Sequence, residues 1–416
     1  MKRTLLAAAL LAASFPSQSD SVELLHWWTS NGEREALAEL ESALDQQGIT
    51  LRSSPVHGGG GDTAMTVLQA RAIAGNPPEM ALIEGPGIQS WATLGFVSDL
   101  HSVATAQNWS QRLPDIATSI NTYKNHFVAA PVNIHRVNWL WVNKAIFEKH
   151  SLAPPTNWDE FFTVAESLKT QGIPALSIGN EPWQLAILFE VLALGLYGSD
   201  YYRQLLIEFD DDLVTNQKTV ELFKTFRRLK PYMTDPSVPV SWDKATLNMA
   251  EGKAAMQLQG DWVKGELSYM NLTPNQDYDC LPAPGTANTF IYNVDSFVLF
   301  RLRTEASENM ANQLANTLVS SDFQSRFNQK KGSIPILKDV DMTPFDLCAK
   351  ASKQAFVDAK ANNTLLPSMS DSMAVAPQLQ EAMLELINHY FNDEAFTEEE
   401  AISQLMKIAA SVHFNG

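Results

Sequence analysis

Short apolar segments that alternate with capped helical segments restrict the fold of this chain more than any other feature. Residues 22–27 are mostly apolar and typical of a strand, and Ser30 with Glu33 forms a capping-box pair that predicts the start of a helix. A second helix is predicted to be capped by Asp62. Residues 79–84 again favour a strand, which the turn sequence Gly-Pro-Gly follows. Strands and helices in alternation predict an α/β architecture.

The later part of the chain continues the pattern. Asn157 with Glu160 indicates another helix start, residues 254–259 and 290–300 each predict a buried strand, and the C-terminal third is mostly helical. A chain of 416 residues exceeds what one core usually carries, so two domains are expected. Since no low-complexity linker is present, we expect short crossing strands to join them.

Residues 1–19 have the layout of a secretory signal peptide. Lys2 and Arg3 precede an apolar run at 4–13, and small residues follow it. The run is too short to span a bilayer, and no cysteine near the cleavage region offers a lipid anchor. A buried N-terminal helix is the alternative. No later segment is expected to be of membrane-spanning length, so the mature chain is predicted to be soluble and exported.

The net charge argues against two classes of partner. It is −17, and loss of Lys2 and Arg3 with the leader would make it −19. An acidic surface repels nucleic acid and anionic membranes. The two cysteines, Cys280 and Cys348, suggest one disulfide in an exported chain, with two buried thiols as the alternative.

Motifs of common enzyme classes are absent from the sequence. It contains no HExxH, P-loop, GxSxG or CxxC motif in a suitable context, and its eight histidines show no metal-ligand spacing. We therefore predict a non-enzymatic protein without a metal or cofactor. The glycine run 58–61 lacks the context of a dinucleotide loop and is predicted instead to let backbone approach a ligand closely.

The tryptophans point to a ligand with apolar faces. The chain has ten, and Trp27 and Trp28 lie at the carboxyl end of the first predicted strand, where open α/β sheets place ligands. A pyranose ring needs aromatic planes against its C–H faces and polar groups around its hydroxyls. Adjacent strand residues point in opposite directions, so at most one of the pair would face a ligand unless the strand has turned. Both could equally be core residues.

Several acids lie beside predicted strands. Glu84 ends one strand, where a binding rim and a solvated turn are both open, and Asp261 with Trp262 directly follows another. Asp295 interrupts the apolar segment 290–300, where a buried unpaired carboxylate would be costly. Its partner is either a ligand hydroxyl or a structural group. Glu33 by itself is explained by the capping box.

Six stretches, spread over nearly the whole mature chain and in the same order, resemble the extracellular solute-binding proteins of sugar ABC transporters. The similarity is greatest to the maltose-binding-like group, and within it to the Gram-negative glucose/mannose-binding branch. The stretches are LHWWT at 25–29, PVNIHRVN at 131–138, QGDW at 259–262, YNVDS at 292–296, KGSIP at 331–335 and SMSDSMAV at 368–375.

The resemblance implies the type II periplasmic-binding-protein fold, with two α/β lobes, crossing hinge strands and a sugar in the cleft. The lobes would comprise residues 20–130 with 291–337, and 131–290 with 338–416. It also implies a periplasmic monomer that delivers a monosaccharide such as glucose or mannose to the membrane permease of an ABC transporter. The Cys280–Cys348 pair resembles the disulfide of that branch.

The resemblance further implies a set of ligand contacts. Lys331, by itself half of an ordinary surface basic pair, becomes a contact residue, and His135 is a candidate, whereas Arg136 is expected to pair with carboxylates at the hinge. The expected ligand-binding residues are Trp27, Trp28, Glu33, Glu84, His135, Trp183, Asp261, Trp262, Asp295, Lys331 and Asp371.

Two positions depart from the glucose/mannose branch. Asp371 replaces a histidine that donates to the sugar, so a charged acceptor is expected there, and Glu84 replaces a neutral residue or a histidine. With Glu33 and Asp295 the cleft is expected to be acid-rich, which disfavours uronic acids. The alternatives are therefore a receptor for a disaccharide, a glycoside or a polyamine. A glycoside hydrolase with paired carboxylates is a more distant one.

Overall fold

A computed structural model describes residues 20–58, 60–235, 238, 240–301 and 305–415. The predicted signal peptide lies outside these residues. The strands are β1 Asp20–His26, β2 Ile49–Pro55, β3 Met80–Glu84, β4 Thr122–Tyr123, β5 His126–Phe127, β6 Ala129–Pro131, β7 Asn133–Arg136, β8 Trp139–Asn143, β9 Met256–Leu258, β10 Tyr278–Pro282, β11 Phe290–Asn293, β12 Asp295–Leu299, β13 Ile334–Pro335 and β14 Leu365–Pro367.

Helices make up most of the remaining regular structure. They are α1 Asn31–Asp45, α2 Asp62–Ile73, α3 Gly85–Thr93, α4 His101–Ala106, α5 Trp109–Arg112, α6 Asp115–Asn121, α7 Lys144–Lys149, α8 Trp158–Thr170, α9 Pro182–Arg203, α10 Asp211–Val214, α11 Gln217–Arg228, α12 Trp242–Ala250, α13 Val263–Tyr269, α14 Glu305–Leu318, α15 Ser321–Lys331, α16 Leu347–Ala361, α17 Pro377–Asn392 and α18 Glu398–Asn415. A π-helical turn, Gln204–Glu208, continues α9, and a 3₁₀ turn, Lys230–Tyr232, follows α11.

The first lobe is built on a five-stranded sheet with the order β2-β1-β3-β12-β6. Strands β2, β1 and β3 run parallel, and β12 is antiparallel to both β3 and β6. Apolar clusters cover both faces of this sheet: one includes Leu24, Leu40 and Phe297, the other Leu25 and Trp91. The carboxyl ends of β1 and β3 therefore lie together at one edge.

The second lobe packs around the antiparallel sheet β10-β8-β9 and a separate apolar cluster. Among the described residues, the segment Pro182–Glu208 is long and apolar enough to span a membrane, contrary to expectation, but 67% of its apolar window is buried in the protein. It serves as the core helix of this lobe, since side chains such as Phe189 belong to its apolar cluster.

A third sheet, β13-β7-β11-β14, joins the two lobes. The predicted single strand 290–300 is in fact two strands, because the chain leaves this sheet after Asn293 and enters the five-stranded sheet at Asp295. A second crossing lies at Val132, whose N–H donates to the Asp295 carbonyl at 3.0 Å. Crossing strands thus connect the lobes, as expected; the lobe boundaries given by the resemblance stay a prediction.

Local sequence signals have mixed outcomes. The Ser30–Glu33 capping box is present, and Asn157 caps α8. The prediction that Asp62 caps α2 is wrong by one residue, because Gly61 precedes the helix and Asp62 is its first residue. The predicted Gly-Pro-Gly turn is also wrong: Gly85 begins α3, whose first turn tolerates proline.

The Cys280–Cys348 disulfide is confirmed, with Cα atoms 6.0 Å apart. It ties β10 to the first turn of α16 and closes a long loop, which the chain-entropy account values at roughly 4 kcal/mol.

Candidate functional site

A cleft of about 390 Å³ lies between the lobes at the carboxyl ends of β1 and β3. All predicted contact residues except Asp261 line it; they are Trp27, Trp28, Glu33, Glu84, His135, Trp183, Trp262, Asp295, Lys331 and Asp371. Asp261 lies behind His135 instead. The structure thus brings together residues from eight separate parts of the chain, while their contact with a ligand stays a prediction.

The adjacent residues Trp27 and Trp28 have different surroundings. Trp28 is 2% exposed, and its ring packs against Phe297 and Phe327 with centroids 5.7 and 5.6 Å away. Trp27 is half-buried and lines the cleft more openly. Trp28 is therefore mainly a core residue that reaches the cleft, and Trp27 is the better candidate for an aromatic platform.

Gly60 and Gly61 let the loop before α2 lie directly on two tryptophans. Both have positive φ, 77° and 85°. A Cβ on Gly60 would lie 3.1 Å from Cγ of Trp183, and one on Gly61 would lie 3.1 Å from the Trp27 ring. The glycine run therefore positions aromatic walls of the cleft, besides lining the cleft with its own backbone.

Glu33 and Lys331 form a buried ion pair at the base of the cleft. One Glu33 oxygen accepts from the N–H groups of Thr29 and Ser30 at 3.0 and 3.1 Å, and the other lies 3.3 Å from Lys331 Nζ. Lys331 Nζ is also 5.0 Å from the centroid of the Trp28 ring. Glu33 thus both closes the capping box and fixes Lys331, which is a buried cation and not a surface one.

A charged network joins the hinge strands to the second lobe. His135 pairs through Nδ1 with Asp261 and through Nε2 with Asp295, the latter at 3.0 Å. Burial opposes the charge on His135, but the Asp261 and Asp295 carboxylates outweigh it and raise its pKa to about 9. Burial alone would raise the pKa of Asp295, yet His135, Lys331 and an Asn133 hydrogen bond at 2.6 Å lower it. We call His135, Asp261 and Asp295 the charged triad.

Glu84 lies beside this triad, but its pKa shifts in the opposite direction to that of Asp295. Its register partner across β3 and β12 is Asp295, and its Oε1 accepts from Asn293 Nδ2 at 2.9 Å. Complete burial raises the pKa of Glu84 well above its usual value, and the charge of Asp295 raises it further. The raised pKa favours the protonated form of Glu84, which can donate a hydrogen bond to Asp295.

The surroundings of Asp371 also favour the protonated form. Its N–H donates to Ser368 Oγ at 3.1 Å, and the same oxygen lies 3.3 Å from its carboxyl. Burial, followed by the charge of Glu190, raises the pKa of Asp371 to about 8. At neutral pH it is mostly protonated, so the expected charged acceptor is instead a hydrogen-bond donor, as a histidine would be.

Glu190 was not predicted, although it carries the same signal as Asp295. It is the single charged residue in the apolar part of α9 and is completely buried. Its carboxyl accepts from the hydroxyls of Tyr202, Ser368 and Ser370, each at 2.7 Å. We call Glu190 and Asp371 the acid pair. Of the two, Asp371 lines the cleft.

Two buried polar atoms at the cleft have no hydrogen-bond partner within the described part of the chain. They are Nε1 of Trp262 and Oδ1 of Asn293, one donor and one acceptor. Trp262 is 7% and Asn293 is 4% exposed, so neither side chain is freely solvated. Buried polar groups are nearly always paired, so a cleft ligand that both accepts and donates would suit these two atoms.

Further lining residues carry little sequence signal. They are Thr29, His57, Glu181, Ser241, Trp242, Asp243 and Asn293. Glu181 accepts from Trp183 Nε1 at 3.2 Å and so fixes that ring. In the residues that the structure covers, no group of three or more His, Cys, Asp or Glu could hold a metal ion.

Arg136 is structural, as expected, but its guanidinium contacts differ from the prediction. It donates to Asn138 and to the Thr289 carbonyl, at 3.3 and 3.2 Å, and lies 4.5 Å from the centroid of the Trp139 ring. Only its backbone N–H bonds to a carboxylate, that of Asp261. The guanidinium is thus held by neutral groups and an aromatic face.

Comparisons with known proteins agree with this architecture. A protein of Rhizobium meliloti named "probable sugar-binding periplasmic protein" is 37% identical over 406 residues, which cover 98% of this chain and 97% of the relative. A protein of the same name from Brucella suis is 36% identical and covers 96% of this chain and 95% of its own.

Solved structures share the fold at low sequence identity. A chitin oligosaccharide binding protein superposes with a TM-score of 0.79 at 18% identity, covering 94% of this chain and 98% of its own. The maltose/maltodextrin-binding domain of Bdellovibrio bacteriovorus gives 0.73 at 18% identity, with 94% and 99% coverage. The two-lobed fold is thereby established. Since the family model "Bacterial extracellular solute-binding protein" matches residues 36–355, this chain belongs to that family of solute-binding proteins.

Proposed function

We propose that this chain is the periplasmic substrate-binding component of a carbohydrate ABC transporter. It binds one pyranose ring, of a monosaccharide such as glucose or mannose, between its lobes and delivers it to the permease as a monomer. The observation that carries the proposal is the unpaired donor on Trp262 and the unpaired acceptor on Asn293 in an aromatic-walled cleft. Neighbouring sugar hydroxyls can supply an acceptor for Trp262 and a donor for Asn293. The apolar faces of the ring suit stacking against the tryptophans.

The charge states of the cleft favour a neutral ligand over a polyamine. The pKa values of Glu84 and Asp371 are both raised, which favours protonated carboxyls that donate to hydroxyl oxygens over carboxylates that would attract an amine. Two further carboxylates are paired, Glu33 with Lys331 and Asp295 with His135, while Glu181 and Asp243 accept hydrogen bonds from neutral groups. Glu84 and Asp295 are hydrogen-bonded neighbours, which is closer than the roughly 5–9 Å separation of glycosidase carboxylates.

Ligand binding would select a closed arrangement of the lobes. The crossings at Val132 and Val294 are the natural hinge, since the chain changes sheet there. Trp27 and Glu84 come from the first lobe and Trp183 from the second, so only a closed form brings all three to one ring. The closed surface would then be what the permease recognises.

Isothermal titration of residues 20–416 with glucose, mannose, galactose, xylose and putrescine tests the proposal. We expect binding to at least one neutral sugar with Kd on the order of 1 μM. Trp27→Ala should weaken it, whereas Trp91→Ala, which removes a buried tryptophan that does not line the cleft, should not. Binding of putrescine alone, or turnover of nitrophenyl glycosides, would contradict the proposal.

A further inference from the structure

Glu190 lies behind the cleft and does not line it, yet its carboxyl holds a loop that does. The loop is residues 368–372, which follow β14. One Glu190 oxygen accepts from the hydroxyls of Ser368 and Ser370, at 2.7 Å each, and the other accepts from the Met369 N–H at 2.8 Å. A completely buried acid on the core helix of the second lobe thus holds three consecutive loop residues.

The Ser368 hydroxyl connects Glu190 to Asp371, the loop residue that lines the cleft. A hydroxyl has one proton and two lone pairs. The Ser368 oxygen lies 2.7 Å from Glu190 but 3.3 Å from the Asp371 carboxyl, so the shorter contact takes the proton. A lone pair of the same oxygen accepts from the Asp371 N–H at 3.1 Å. Glu190 therefore orients the group that holds the Asp371 backbone.

The loop has little space in which to move. Gln380 of α17 donates to the Ser370 carbonyl at 2.7 Å and accepts from the Ser372 hydroxyl at 2.8 Å. The Ser372 carbonyl lies against Gly85 at the start of α3 in the first lobe, where a Cβ would overlap that oxygen. Ser372 also has a φ of 56°, which is uncommon for serine. Because the loop is packed so closely, a change at its anchor is passed on to the cleft.

The core of the second lobe does not itself require an acid at position 190. Burial raises the pKa of Glu190, and hydrogen bonds from Ser370, Tyr202 and Ser368 oppose that rise. An apolar side chain would fill the same place in this largely apolar helix without the cost of burying an ionisable group. The carboxyl is thus explained by the loop that it holds.

We propose that Glu190 is a positioning residue for ligand binding, which holds loop 368–372 so that the Asp371 carboxyl faces a hydroxyl of the bound sugar. This inference rests on the proposed function. It adds a residue that sets the affinity for the sugar without touching it, and whose effect passes through Asp371.

Titration of Glu190→Gln tests this, in the unmodified chain and in an Asp371→Ala chain, with glucose, mannose, galactose and xylose. The amide has the size of the acid, but its NH2 group cannot accept from the loop. We expect Glu190→Gln to weaken binding of the preferred sugar by about tenfold or more, which is about 1.4 kcal/mol. In the Asp371→Ala chain the same change should stay within about twofold, because the residue that the loop positions is gone.

Two further variants separate positioning from general loss of stability. Phe189→Leu changes the preceding residue of α9, which is buried and packs against Phe223 and Phe226. It should lower the urea midpoint but leave affinity within about twofold. Ser368→Ala breaks the connection from Glu190 with less disturbance of the core. It should weaken binding by about threefold or more, and it carries the test if Glu190→Gln does not fold.

Unchanged affinity in folded Glu190→Gln, equal losses with and without Asp371, or an equal loss in Phe189→Leu would overturn this inference alone. If Asp371→Ala leaves no measurable binding, the comparison with Phe189→Leu decides. No binding of any of the four sugars by the unmodified chain would instead overturn the proposed function, and this inference with it.

Discussion

Asp295 and Asp371 are both buried acids at the same cleft, yet the structure holds them in opposite charge states. Asp295 lies in the charged triad, where His135 and Lys331 lower its pKa. Asp371 lies in the acid pair, where burial and Glu190 raise its pKa to about 8. The residue type is identical, so the difference is due to partners that lie far away in sequence.

The difference changes what the cleft can recognise. A charged Asp295 can accept hydrogen bonds, while a protonated Asp371 can donate one. One cleft thus offers both an acceptor and a donor for a hydroxyl group. The acid-rich cleft expected from sequence is therefore less negative than its carboxyl count suggests.

Removing the cation of the triad should have the largest effect. His135→Ala leaves Asp261 and Asp295 buried without their partner, and unpaired buried charges cost roughly 3–5 kcal/mol. Urea unfolding should show this loss of stability. His57→Ala provides the control, because His57 also lines the cleft but is exposed. A His135→Ala protein as stable as the His57→Ala protein would contradict the account of the triad.

The stability of the ligand-free chain should fall as pH rises from 5 to 9. The raised pKa of His135, about 9, gives stability that is complete below its unfolded pKa and is lost as pH rises through 9. Asp371, with its pKa raised to about 8, holds a proton that the unfolded chain releases above about pH 4, so its contribution has the same sign. Each proton that the folded chain holds and the unfolded chain has released lowers stability by about 1.4 kcal/mol per pH unit between the unfolded and the folded pKa.

Thermal unfolding across this pH range measures the slope. Asp371→Asn should flatten it between pH 5 and 8, because the amide cannot release a proton there. A melting temperature that rises toward pH 9, or a slope unchanged in Asp371→Asn, would show that the acid pair is ionised.

Asp371→Asn should raise stability at pH 7. The carboxamide has the size of a protonated carboxyl and keeps a donor, and it removes the cost of holding a proton that the unfolded chain releases, which is about 1.4 kcal/mol per pH unit above about pH 4. The matched variant Asp295→Asn removes a charge that His135 requires and should instead lower stability. Urea unfolding of both variants compares the two; a larger loss in Asp371→Asn would reverse the assignment.

The sequence located many of these residues but not their charge states. Asp295 was found because a charge in an apolar strand needs a partner, and the Ser30–Glu33 capping box was found because its spacing is local. The partners that decide protonation, Asp261 for His135 and Glu190 for Asp371, lie 126 and about 180 residues away. No local pattern encodes such contacts.

The errors in the fold have a similar origin. Residues 290–300 are mostly apolar, because both of their strands are buried, and the polar residues around Val294 do not by themselves predict a change of sheet. The Gly-Pro-Gly sequence has the composition of a turn, but proline also suits a first helical turn, and α3 begins there. Composition limits these choices, and tertiary packing decides between them.

Titration of Asp295→Asn and Asp371→Asn at pH 7, with whichever hexose the unmodified chain binds most tightly, tests the contrast between the two acids most directly. Loss of the charged acceptor should weaken binding by roughly 10- to 100-fold in Asp295→Asn, whereas Asp371→Asn keeps a donor and should stay within about threefold. Equal losses in the two variants, or a greater loss in Asp371→Asn, would contradict the account, because Asp371 would then act as a charged acceptor.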